Sequence, residues 1–422
     1  MPDTPGLSRA RAPKVVLVIA TEWWSAHGGL STVNRQLCIA LAKKGVRVYC
    51  LVLDFTEAEF KEAASVGMCL VAAKCPYGST GQEALSRRPA LPEGVVPDLI
   101  IGHARITGRA AAVQARDHFP NAVRLHILHM APDELMPLKV NGADDAGLTA
   151  EQRMKEERVL LGPPARCAGI GPRLTDLANA ELAAYHEALP AIRIDPGFDD
   201  AHPARRTPPG GRPTRVLMLG RMSDWQVKGL DIAVRALAVA TSQLGLAPGA
   251  IELVVRGVPG DQFARIRELA NGWAGALPFR IVLRTYTVHS DEVRRELRRA
   301  SLVLVSSRAD GFAYVGAEAI AVGIPVLVSD ACGLADLLRE VLGRRADSLV
   351  VPVRDDTEAD TRHWAAAIIS SLADRDDAFE HADQIRAILA QERTWAMSAE
   401  AVLSVIDLER PGRAGPLQTG NW

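Results

Sequence analysis

The sequence has six cysteines but no C-x-x-C pair and no clustered Cys/His spacing, so structural zinc is not expected and a reduced, cytoplasmic setting is. It has no run approaching the roughly 20 apolar residues that a membrane span requires. The apolar stretch VVLVIA (15–20) after the polar start MPDTPGLSRARAPK is too short for the core of a signal peptide. An excess of either charge is missing too: the formal net charge is −1, which gives no sign of nucleic acid or an anionic membrane as the main partner. No low-complexity segment occurs. What is present is an ordinary soluble composition, 48% hydrophobic and 23% charged. At 422 residues the chain exceeds what one hydrophobic core usually supports, so two domains are expected.

From Lys14 onward, short β-branched runs alternate with helical patterns. VVLVIA is followed by STVNRQLCIALAKKG (31–45), in which Val33, Leu37 and Leu41 share a face. Ser31 near its start and Gly45 at its end read as boundary signals. Further strands are read in VRVYCLVL (46–53), MCLVAA (68–73), DLIIGH (98–103) and VRLHILH (123–129). Continuous apolar strands alternating with helices point to a parallel sheet covered on both faces. The pattern stops at the Pro/Gly-rich stretch 195–214, read as a linker, and restarts with RVLMLG (215–220), IELVVRG (251–257), RIVLRTY (280–286), SLVLVSS (301–307), IPVLVSD (324–330) and SLVVPV (348–353). The fold class is therefore α/β, with two Rossmann-like doubly wound units facing across a cleft, and ligands are expected beyond the carboxyl ends of the strands.

Chemistry concentrates in three segments. In SSRADGFAYVGAEAIAVGIPV (306–326), Asp310 and Glu318 lie eight positions apart after a strand. Eight helical residues span about 12 Å, too far for a shared-proton dyad but suited to gripping two ends of a long ligand. Free amides near 311–314 between them would attract an anion. A sugar nucleotide has that layout of hydroxyls, phosphate and hydroxyls. The competing reading makes Asp310 a helix N-cap and Glu318 a solvated helix residue. In LGRMSDWQVKGLDIAVRAL (219–237), Arg221 and Lys228 flank one strand–helix loop, as a diphosphate would require; either one alone reads as a solvent-facing cation. In TEWWSAHGGLSTVN (21–34), Gly28 and Gly29 permit close backbone approach before a helix. Trp23 and Trp24 offer faces for a carbohydrate or are ordinary packing residues. His103 and His129 each end a strand and are expected to face the cleft, or else to be satisfied structural histidines.

Taken in order, these segments resemble the retaining glycosyltransferases of GT-B fold, specifically family 4, the group 1 transferases that include glycogen synthase-like and sucrose synthase-like enzymes. Asp310-x7-Glu318 resembles the family's E-x7-E signature, LGRMSDWQVKG its G-R-x-x-x-K-G segment, IDPGFDD its inter-domain turn, and HGGLSTVNRQLCIALAKKG its glycine loop and first helix. The resemblance implies an N-terminal acceptor domain (14–197), a donor domain (198–393), a closing helix (394–408) that crosses back onto the first domain, and tails at 1–13 (flexible) and 409–422. It implies that Arg221 and Lys228 hold the donor diphosphate, that Glu318 binds the ribose and that Asp310 binds the transferred sugar. It places Gly311, Phe312 and Ala313 at the sugar or phosphate through their backbones, His103 at the sugar, and Gly28 and Gly29 at the diphosphate and acceptor entrance. Tyr286 and Val288 fall where the family cradles the donor base. Trp23, Trp24 and His129 are the acceptor candidates. No metal and no cofactor are implied; the donor would be a UDP-, GDP- or ADP-sugar, and the acceptor a carbohydrate, lipid or small molecule, with peripheral membrane contact open. Two positions depart from the family pattern: the first acid is Asp310, one methylene shorter than Glu, and Ala313 stands where Gly is common. A hexosyltransferase is the activity expected; a nucleotide-sugar epimerase of the same fold and a non-catalytic nucleotide-sugar binder are the alternatives.

Overall fold

The computed structural model describes residues 13–24, 28–78, 80–132, 143–199, 205–275 and 278–409. The expected tails therefore lie outside the described residues except at Pro13 and Glu409, as does 200–204 of the linker. Two parallel sheets form, and each expected strand is present. The first contains β1 (Val15–Ile19), β2 (Arg47–Val52), β3 (Met68–Ala72), β4 (Leu99–His103), β5 (Val123–Leu128), β6 (Arg166–Ile170) and β7 (Ile192–Ile194), in spatial order β3-β2-β1-β4-β5-β6-β7. The second contains β8 (Thr214–Leu219), β9 (Ile251–Arg256), β10 (Arg280–Arg284), β11 (Leu302–Val305), β12 (Val326–Ser329) and β13 (Val350–Val351), in order β10-β9-β8-β11-β12-β13.

Both orders reverse beside the first strand of the unit, between β1 and β4 and between β8 and β11. A crevice opens at such a switch point, beyond the strand ends. The glycine loop after β1 and the Arg221–Lys228 loop after β8 therefore emerge where ligands bind. Strands β6 and β7 are not legible in advance. RCAGI lacks a β-branched run; it is fully buried and pairs in parallel with β5 and β7.

The Pro/Gly-rich stretch is less slack than its composition suggests. Phe198 is buried, and its amide donates to the Arg393 carbonyl at 3.0 Å. Asp199 accepts from the Trp395 amide at 2.9 Å, and Asp195 pairs with Arg193 and Arg393. These contacts fix the start of the helix Trp395–Glu409, which packs on the helix Gly29–Lys43 and on β7 and is tied at its far end by Lys14 and Asp407 at 2.9 Å. Further ion pairs, Arg173–Asp336 at 2.8 Å and Arg193–Glu340 at 2.6 Å, join residues beside the first sheet to a helix beside the second.

Candidate functional site

A cavity of about 650 Å³ lies between the carboxyl ends of the two sheets. Gly28, Gly29 and His129 line it from the first unit; Arg221, Lys228, Asp310 and Glu318 line it from the second. The loop after β8 is shaped by Gly229, whose left-handed φ of 64° starts the helix Leu230–Gln243. A Cβ there would strike the Ser306 carbonyl at the end of β11, so only glycine lets the two loops touch. That contact brings Lys228 Nζ to 2.6 Å from Asp310 Oδ2.

Asp310 is not the cap of the next helix. That helix runs Tyr314–Ala321, and its N-cap is Ala313 at φ 66°. This left-handed conformation costs glycine nothing and alanine about 1 kcal/mol or more. Asp310 Oδ1 accepts from the amides of Ala313 (2.8 Å) and Phe312 (3.3 Å). Two of the amides expected to be free for an anion, those of 312 and 313, are thus already engaged by the neighbouring carboxylate. Burial alone would raise the Asp310 carboxyl, but Lys228 and the two amides hold it below its usual value. Glu318 sits in the second turn of the helix, half-buried and on the cavity wall, so it is neither core nor solvated surface.

Tyr286 and Val288 line the cavity from the loop after β10, as do the backbone turn at Gly311 and Ala313. Phe312 lines it too, while its buried ring packs against Gly171 of the first unit. Close approach also governs Gly311: a Cβ there would come 2.6 Å from the His129 carbonyl oxygen. Gly311→Ala should wedge the units apart and cost about 1–3 kcal/mol of stability, the usual penalty for overpacking. A melting temperature equal to that of the parent would contradict this contact.

Three placements correct the sequence reading. Trp23 is fully buried and cannot present a face to an acceptor. Trp24 does not line the cavity; its indole donates to Glu62, and its ring meets His289 of the second unit edge-on, with centroids 5.9 Å apart. His103 is fully buried behind His129, with ring nitrogens 2.9 Å apart, so in this structure His129 and not His103 reaches the cavity. Burial, then neighbouring His126, depresses the His103 imidazole to about 3; burial, His103 and His126 push His129 the same way.

The helix Ser290–Arg299 turns Val293, Leu297, Arg294 and Arg298 toward the cavity. Its Glu296 is buried and pairs with Arg256 at the end of β9 and with Arg284 at the end of β10. This pairing was not visible in the sequence, because the three residues lie on three different elements. Among the described residues no group of histidine, cysteine and carboxylate side chains is arranged to hold a metal ion, and no helix is long and apolar enough to cross a membrane.

Comparison with known proteins gives this geometry a context. D-inositol 3-phosphate glycosyltransferase 1 of Catenulispora acidiphila is 27% identical over 252 residues, which is 57% of this chain and 58% of that protein, so the match spans little more than half the relative's length. Sucrose-phosphate synthase from Thermosynechococcus elongatus superposes with a TM-score of 0.65 at 20% identity, covering 94% of this chain and 98% of that one. Anabaena HepE, solved in complex with UDP and glucose, gives 0.61 at 17% identity, covering 94% and 100%. These structures share the GT-B architecture of two facing Rossmann-like units. The model for family 4 glycosyltransferases in conflict systems matches residues 17–402, and the chain belongs to that family.

Proposed function

We propose that the protein transfers a hexose from a nucleoside-diphosphate sugar to a hydroxyl acceptor, with retention at the anomeric carbon and without a metal ion, in the cytoplasm. One observation carries the reading: Arg221, Lys228 and Glu318, read separately in the sequence, line one cavity at the switch point of the second sheet. HepE, which shares the fold, was solved with UDP and glucose. In this assignment Arg221 and Lys228 neutralise the charge that develops on the leaving diphosphate, the work a metal does in other transferases. Glu318 accepts hydrogen bonds from the ribose hydroxyls, and the Tyr286–Val288 loop flanks the base. The acceptor enters past Gly28 and Gly29.

The test is a thermal-shift panel of UDP-, GDP- and ADP-glucose, followed by mass spectrometry of turnover and NMR of the product's anomeric configuration. Consumption of the donor without an acceptor would favour an epimerase. Nucleotide binding without turnover on any acceptor would favour a non-catalytic binder. Glu318→Gln should weaken nucleoside diphosphate binding roughly tenfold, since it replaces a charged acceptor by a neutral one. Unchanged affinity in calorimetry would remove Glu318 from the ribose.

A further inference from the structure

Behind the cavity wall runs a chain of three polar side chains. His129 Nε2 lies 2.9 Å from His103 Nδ1, and His103 Nε2 lies 2.9 Å from Asn34 Oδ1. His103 and Asn34 are both fully buried. Asn34 belongs to the helix Gly29–Lys43, so the chain joins the glycine-loop helix to the ends of β4 and β5.

A neutral imidazole carries one N–H and one lone pair, so a fixed end determines every proton in the chain. The Asn34 amide supplies that end. Cys38, one helical turn on, donates its thiol to Asn34 Oδ1 at 3.6 Å, and Asn34 Nδ2 points at Cys50 Sγ at 3.9 Å. With Oδ1 turned to His103, His103 Nε2 must carry the hydrogen and Nδ1 the lone pair. His129 Nε2 then donates to that lone pair, which leaves His129 Nδ1 bare. Burial keeps both rings neutral through the physiological range.

Resting on the donor-site reading above, we propose that Asn34 and His103 are positioning residues that lock His129 as a hydrogen-bond acceptor in the cavity. The cavity then reads polarity along its length. Arg221 and Lys228 take the acceptor oxygens of a diphosphate, whereas His129 takes a hydroxyl of the attached sugar and offers nothing to a phosphate oxygen. A ligand is thereby oriented before any chemistry occurs.

The direct test is ¹⁵N NMR of histidine-labelled full-length protein, with the two resonance sets assigned through His103→Asn and His129→Asn. The expected result is the Nε2-protonated tautomer for both rings. Nδ1 protonation of either overturns the proposal. Asn34→Leu keeps the side-chain size and removes the acceptor. In that variant the tautomer preference should relax, and UDP-glucose binding should fall roughly tenfold while UDP binding stays within about twofold, because UDP has no sugar to read. Equal losses for UDP and UDP-glucose would mean that Asn34 only supports the fold, and would overturn the positioning role. If the parent protein binds none of the UDP, GDP or ADP ligands, the donor-site reading fails; the tautomer spectra still decide the proton arrangement independently.

Discussion

Lys228→Ala should lower turnover by about 10³-fold or more while leaving the protein folded, an effect at the upper end of what removing one transition-state donor causes. The reason is where the charge goes. In the resting site the ammonium sits 2.6 Å from Asp310, and its other two hydrogens remain for a ligand. As the glycosidic bond breaks, negative charge builds on the diphosphate beside a cation that is itself largely buried, where a fixed charge is worth more than in bulk solvent. Removing the ammonium should therefore cut kcat more than donor KM. Asp310 keeps its two amide donors in the variant, so the turn before Tyr314 should persist. Steady-state kinetics and a melting curve on the same preparation check both halves. Turnover within tenfold of the parent, in a folded variant, would dismiss the assignment of Lys228 to the leaving group. Lys228→Gln restores a neutral donor to Asp310 and should recover stability but not rate.

Acid should destabilise the fold well before its carboxylates titrate. The His103 imidazole is held at about 3 in the folded chain, against about 6.5 when unfolded. Below pH 6.5 the unfolded chain binds a proton that the folded one refuses, so this contribution is complete above that pH and is lost as pH falls toward 3. The slope is about 1.4 kcal/mol per pH unit, so acidification from pH 6.5 to 5 should remove about 2 kcal/mol through His103 alone. His129 shifts in the same direction and adds to the loss. Asp310, depressed below its usual value, adds a further loss only in the lower carboxylate range. Urea midpoints at pH 7.5 and 5 measure the effect. His103→Asn should flatten the dependence, and an unchanged slope in that variant would show that the buried imidazole is not its source.

How much of this was legible in the sequence depended on depth. Continuous apolar runs gave every strand of both sheets except β6 and β7, because a parallel strand buried on both faces needs no polar alternation. Glu318 was legible as an anomaly, an acid among alanines, and the fold places it on a cavity wall. Distance from that wall was not legible. DLIIGH and VRLHILH both end in histidine at the same edge of the same sheet, yet only the second reaches the cavity. Register alone cannot say which residue stands in front of the other. Trp23 and Trp24 are neighbours in sequence but divide between the core and a contact with His289. The engagement of the 312 and 313 amides by Asp310 required three-dimensional geometry, because a side chain bending back onto its own turn leaves no periodic trace. Nor did Arg256, Glu296 and Arg284 signal their meeting, since the two arginines close separate strands and the glutamate lies in a charged helix.

The helix Trp395–Glu409 has a consequence for biogenesis. Its buried Val402, Val405 and Ile406 face the unit built from the opening residues of the chain, and the lysine that anchors it is residue 14. During synthesis the amino-terminal sheet leaves the ribosome with that flank uncovered, and the covering piece arrives only after some two hundred further residues of the other unit. The first unit must wait for a helix made after the second, exposing a greasy surface for a holdase chaperone to recognise.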